Sequence, residues 1–300
     1  MMRSTAGVYS HSGAIGPAIF VVPIAGLIAA PVLGTAYAYV DVYSPIAGYV
    51  SLLFVFGFAF ALGWTISKIG YISRCRNTSF LFVAGLLAGL IGLYTSWAAF
   101  EYAVLTRYAE GFEAALLDVF LSPAAIWELA RSINESGWYT ISGMTPTGAV
   151  LWTFWGIEAV AVVVGTAMFS ISALGDEVFC ERCEQWMSKI AGKVRLQLPE
   201  DQTQLEKLSP DNLDPLGALA TASPADNPHL RVDAWECQAC KENAAVQVKV
   251  QAIEHNDKGK AEEKLEDVTP IWSVSSTALE RLSGLADRPS TVTPHVLIRE

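Results

Sequence analysis

Four apolar runs in the first 174 residues set the terms for everything else in the chain. They are "AIGPAIFVVPIAGLIAAPVLGTAYAYV" at 14–40, "GYVSLLFVFGFAFALGWTI" at 48–66, "SFLFVAGLLAGLIGLYTSWAAF" at 79–100 and "AVLWTFWGIEAVAVVVGTAMFSISAL" at 149–174. A hydrocarbon core about 30 Å thick takes about 20 apolar residues of helix to cross, so each run is long enough to span it. The first run is too long for a signal peptide and has no polar stretch after a cleavage site, so it reads as a retained helix. Charge confirms the division. Residues 1–174 hold 6 of the 20 Lys and Arg and 8 of the 30 Asp and Glu, leaving 14 and 22 for residues 175–300. The chain is therefore read as a mostly α membrane protein, a four-transmembrane-helix bundle over 14–174, followed by a small polar domain.

Basic residues in the short loops orient the bundle. The 67–78 loop carries Lys68, Arg74 and Arg76, and the stretch after the fourth run opens with Arg182, Lys189, Lys193 and Arg195. The 41–47 loop has no basic residue, and the 101–148 connection has Arg107 and Arg131 among six acids. This alternation predicts an inner (cytoplasmic) membrane protein with both termini in the cytoplasm. Residues 1–13 are then a cytoplasmic N-terminal segment and 101–148 an extracytoplasmic loop. Within that loop "SPAAIWELARSI" starts with a Ser-Pro pair suited to a helix N-terminus. Ala125, Ile126, Leu129, Ala130 and Ile133 follow at helical spacing, and "EGFEAALLDVFL" before it repeats the pattern, which predicts amphipathic extracytoplasmic helices on the membrane surface or capping the bundle.

Three features of the bundle admit functional readings. Pro23 and Pro31 lie inside the first run, as a transporter hinge or as kinks that shape the bundle. Gly85, Gly89 and Gly92 give small-residue spacing for close helix approach, within the chain or between copies. Glu158 lies near mid-membrane, where an ionised acid costs about 2.5–3.5 kcal/mol. By depth its partners are Tyr94, Thr95 and Ser96 of the third run or Tyr37 and Tyr39 of the first. It is either a proton or ligand site or a hydrogen-bonded acid that fixes helix register.

After Gly175 the sequence becomes that of a soluble domain. "FCERCEQW" holds Cys180 and Cys183, and "WECQACKEN" holds Cys237 and Cys240, giving C-x2-C-x53-C-x2-C. Each C-x-x-C turn presents two sulfurs to one ion, and four thiolates complete a tetrahedral zinc shell. Alternating segments lie beside both pairs: "KVRLQL" at 193–198, "LRVDAW" at 230–235 and "AVQVKVQAI" at 245–253. A turn at 255–260 and a returning strand "VTPIWSV" at 268–274 follow. The arrangement resembles zinc ribbons as a class over roughly residues 178–275, with a Pro-rich insert at 199–229 read as a short helix and loop. The resemblance implies one structural zinc. Four cysteines leave no open position for catalysis, a reducing cytoplasm disfavours disulfides, and no βαβ pattern of a redox fold surrounds either pair. Cys75 reads as a free thiol. A short helix is predicted at 277–285, ahead of a disordered tail within 276–300.

Residues 175–300 carry a net charge of −8, from 14 basic and 22 acidic residues. Phosphate binding needs a basic surface, so nucleic acid is excluded as a partner. No P-loop, dinucleotide fingerprint, metalloprotease helix or nucleophile elbow is present, so no enzyme activity is predicted. Membrane lipid and a cytosolic protein are the expected partners. The function read from sequence is a protein-interaction or scaffold module on a membrane anchor. The alternative is an oligomeric transporter or channel subunit using Glu158.

Overall fold

The computed structural model describes residues 7–44, 49–109, 111–140, 143–201, 203–223, 226–256 and 260–286. It divides into two compact units, Ser12–Asp176 and Met1–His11 with Glu177–Glu300.

The first unit is helical. It contains α1 (Ala18–Tyr43), α2 (Tyr49–Ile72), α3 (Thr78–Tyr108), α4 (Leu116–Phe120), α5 (Pro123–Ser136) and α6 (Gly148–Ser170). Helices α1, α2, α3 and α6 are long and apolar enough to cross a membrane. In α1 the buried residues are Ala18, Val22, Gly26, Ala30, Gly34, Ala38 and Val42, an unbroken four-residue step along the helix. Small side chains in this row let the α1 and α3 backbones come together, as small residues do between apolar helices. A Cβ on Gly34 would lie 2.7 Å from the carbonyl oxygen of Gly92. Pro23 and Pro31 fall outside this row, and α1 continues through both.

Gly85 and Gly89 of α3 serve the same purpose against α6, whereas a Cβ on Gly92 would lie 3.0 Å from the Phe58 ring of α2. A Cβ on Gly85 would lie 2.8 Å from the Cα of Ala167, and one on Gly89 would lie 2.9 Å from the Cα of Val163. The small-residue spacing therefore makes a contact within the chain. Helix α3 also runs to Tyr108, past the end at residue 100 that hydropathy suggests. Glu101 thus belongs to the helix instead of the connection; it is 5% exposed. Helix α5 starts at Pro123 and buries Ile126, Ala130, Ile133 and Asn134, with Ile126 packed beside Ala98 and Val119. Ring contacts run from Trp127 through Trp152, Trp155, Trp97 and Phe100 to Trp138.

The second unit is built on an antiparallel sheet. Its strands are β1 (Gly7–Val8), β4 (Ser188–Gln197), β5 (His229–Glu236), β6 (Asn243–His255), β7 (Ala261–Asp267) and β8 (Trp272–Ser275), and a separate hairpin joins β2 (Phe179–Cys180) to β3 (Gln185–Trp186). Along the main sheet the order is β1-β8-β6-β5-β4, with β7 pairing the distal part of β6. Alternation in β5 and β6 turns Leu230, Val232, Val246 and Val248 toward Leu279, Leu282 and Leu285 of α9 (Ser276–Ala286). Two short helices, α7 (Thr203–Glu206) and α8 (Asp214–Gly217), lie in the long insert, where Leu208 and Leu216 join this core. Between Ile190 and Val194 the β4 register shifts. Gly192 sits there at φ +61°, a conformation that suits glycine, and its N–H donates to Asp233 Oδ1 at 2.7 Å.

Two elements differ from the sequence reading. The strand returning after the 255–260 turn is β7, and β8 is a separate strand that pairs with both β6 and β1. Every β7 residue is exposed, so "AEEKLED" has no apolar alternation to mark it. The N-terminal segment, read as a plain cytoplasmic stretch, contributes β1 to the sheet. The expected disordered tail falls at 287–300, outside the described residues.

Candidate metal centre

Each C-x-x-C pair sits on the turn of a hairpin. The first turn joins β2 to β3, and the second joins β5 to β6. Together they bring the Sγ atoms of Cys180, Cys183, Cys237 and Cys240 within 4.8 Å of one another. The Cys180–Cys240 separation is 4.0 Å. Four sulfurs on a Zn–S bond of about 2.3 Å stand about 3.8 Å apart, so the donor set fits a tetrahedral ion.

The two turns share a left-handed residue after the second cysteine. Glu184 follows Cys183 at φ +50°, and Lys241 follows Cys240 at φ +51°. This left-handed region is uncommon for residues with a side chain. The Lys241 N–H donates to the carbonyl of Cys237 at 2.9 Å and closes the second turn.

Donors from each turn also reach the sulfurs of the other. Gln185 Nε2 donates to Cys237 Sγ at 3.4 Å, and Asn243 Nδ2 donates to Cys180 Sγ at 3.2 Å. Arg182 pairs with Glu242 across the same gap, though both are well exposed and such a pair contributes little. Beside a zinc ion, four thiolates leave a net charge of about −2, and these N–H groups offset part of it.

The thiols titrate unevenly. Burial opposes ionisation of Cys237, but N–H groups of Cys240 and Ala239 and the thiols of Cys180 and Cys240 outweigh it and bring Cys237 down to about 6. Burial and the surrounding thiols of Cys240, Cys237 and Cys180 push Cys183 up to about 12. Cys180 is raised as well, chiefly by burial. The Cys237 thiolate forms readily, and ionisation of Cys180 and Cys183 calls for a cation among the sulfurs.

Cys75 stands apart from this group. It is buried, its thiol donates to Asn77 O at 3.6 Å, and burial raises its pKa. Glu158 of α6 accepts a 2.6 Å hydrogen bond from the Tyr37 hydroxyl of α1, and the Tyr37 ring stacks on Phe58 at 5.1 Å. The other partners named by depth are engaged elsewhere. Tyr94 donates to Phe120 O, Thr95 and Ser96 donate to backbone carbonyls, and Tyr39 stacks on Tyr43. Outside the spans, burial raises the Tyr139 phenol, and the carboxyls of Glu158 and Asp41 push it the same way.

Sequence reasoning picks out the four cysteines but misses Gln185, Asn243 and the left-handed residues. The sole sequence signal for the two amides is their place just past each second cysteine. No protein family, no curated protein and no solved structure matches this chain.

Proposed function

We propose that this chain is a multi-pass protein of the inner membrane. In this reading it carries a zinc-ribbon-like domain in the cytoplasm, as an interaction or scaffold module for a cytosolic protein. The clustering of four cysteine sulfurs within 4.8 Å carries the reading. A closed four-sulfur set suits a structural ion, and zinc is the ion that needs neither redox chemistry nor an open position there. Two observations support the topology. Strands from both ends of the chain share one sheet, Gly7 pairing with Ser273, which requires an even number of crossings. The 67–78 loop and the start of the second unit are basic, as the positive-inside rule expects of cytoplasmic segments. The aromatic chain around Trp152 suits the opposite interface, where amphipathic rings gather.

Metal analysis of the purified full-length chain in detergent tests this directly. One zinc per chain is expected, with all four cysteines protected from alkylation until a chelator is added. A chain that folds without metal and alkylates freely overturns it. For the partner, a photo-crosslinking residue at the exposed Glu262 position is expected to give one discrete product with a cytosolic protein, lost in Cys237→Ser.

The Tyr37 hydrogen bond favours a structural role for Glu158, as a tie between α1 and α6. Glu158→Gln keeps an acceptor for Tyr37 and is expected to change stability by less than about 0.5 kcal/mol, while Glu158→Ala loses about 0.6–1.7 kcal/mol. An ion-dependent flux abolished by Glu158→Gln in a fully stable protein would instead establish the transporter reading.

A further inference from the structure

We propose that the N-terminal segment Gly7–His11 is part of the metal centre, with Tyr9 as a positioning residue for Cys180. This rests on the metal reading above and adds to it a piece of chain that the cysteine motif does not contain.

The segment enters through the sheet. Gly7 and Val8 pair with Ser273 and Trp272, and the Tyr9 N–H donates to Ile271 O at 2.8 Å. Tyr9 is thereby packed against the cluster of Val178, Cys180, Met187, Trp235, Cys237 and Ala245. Its hydroxyl accepts a 2.9 Å hydrogen bond from the N–H of Phe179, the residue before Cys180. The same hydroxyl shares a 3.0 Å hydrogen bond with His11 Nδ1. The His11 ring lies edge-on to Trp186, with centroids 6.0 Å apart. Phe179 and Trp186 are partners across the β2–β3 hairpin. The segment therefore grips both strands of the hairpin that carries the first cysteine pair, one by a hydrogen bond and one by a ring contact.

That hairpin has two residues in each strand, too few to hold a fixed geometry alone. It is ordered by what lies on either side: the ion through Cys180 and Cys183, and the N-terminal segment through Phe179 and Trp186. Two ligands that order the same element favour each other, and the coupling is reciprocal. Loss of metal loosens the segment, and loss of the segment weakens the metal.

Tyr9→Phe deletes the acceptor and keeps the ring. In the full-length protein, chelator competition for zinc is expected to show affinity lower by about 10-fold, the range for lost outer-shell partners of a metal ligand. With cobalt in place of zinc, the thiolate-to-metal absorption should be retained at saturation, so a lower affinity there is not a lost ligand. In the wild-type chain, metal removal is expected to speed hydrogen exchange at residues 7–11. Equal zinc affinity in Tyr9→Phe, or exchange at 7–11 unaffected by metal, overturns the coupling while leaving the metal site intact. A wild-type chain that binds no zinc overturns both readings, and that outcome is visible before any variant is made.

Discussion

Glu184 and Lys241 hold the two cysteine turns in a backbone region that disfavours their own side chains. The left-handed conformation costs roughly 1–2 kcal/mol for a residue with a Cβ, and glycine escapes it at an entropic cost of about 0.5–1 kcal/mol. Glu184→Gly and Lys241→Gly are each expected to stabilise the metal-loaded protein by up to about 1 kcal/mol, read from denaturant midpoints. Asn243→Ala and Gln185→Ala remove donors to Cys180 and Cys237 and should each weaken zinc by about 10- to 100-fold in chelator competition. Titration gives a further test. Without metal, Cys180 and Cys183 sit above the ordinary thiol range, so both keep their protons at neutral pH and must lose them on ligation. Affinity therefore rises with pH, by at least about 100-fold per unit because these two protons are released, in competition titrations at pH 6.5 and 7.5. The cysteines themselves are legible from spacing alone. Their amide donors are not, because Asn and Gln beside a turn look the same whether they face solvent or sulfur.

At the level of elements, helix existence follows from hydropathy, and helix partners follow from residue size. The four apolar runs are plain in the sequence, but their ends are not. Hydropathy stops α3 near residue 100, since Glu101 and Arg107 interrupt the apolar run, yet the helix continues to Tyr108. The four-residue row of small residues in α1 is present in the sequence but masked by an apolar residue at nearly every other position. Size has to be read separately from polarity to see it. Gly85→Leu is expected to separate α3 from α6 and destabilise the bundle by about 1–3 kcal/mol, as overpacking does. Gly156 of α6 has open space around it, so Gly156→Leu serves as the control and should be near neutral in the same thermal-shift assay. Strand β7 shows the opposite limit. It pairs with β6 through seven positions, but with both faces exposed nothing in its side-chain pattern reports the pairing.

Across the whole molecule, sequence distance and spatial order part company. The composition break near Gly175 is clear, and it separates two kinds of text. It does not show that Gly7–His11 belongs with the later text. Two paired residues next to a β8 edge are too short to generate any periodic signal. That pairing has a consequence for how the protein is made. Val8 leaves the ribosome well before its partner Trp272. At about 5–20 residues per second, the interval is on the order of tens of seconds. During that time the four apolar helices are made while the N-terminal strand waits for its sheet partner. The β1 edge of this sheet thus forms only after β8 has been made.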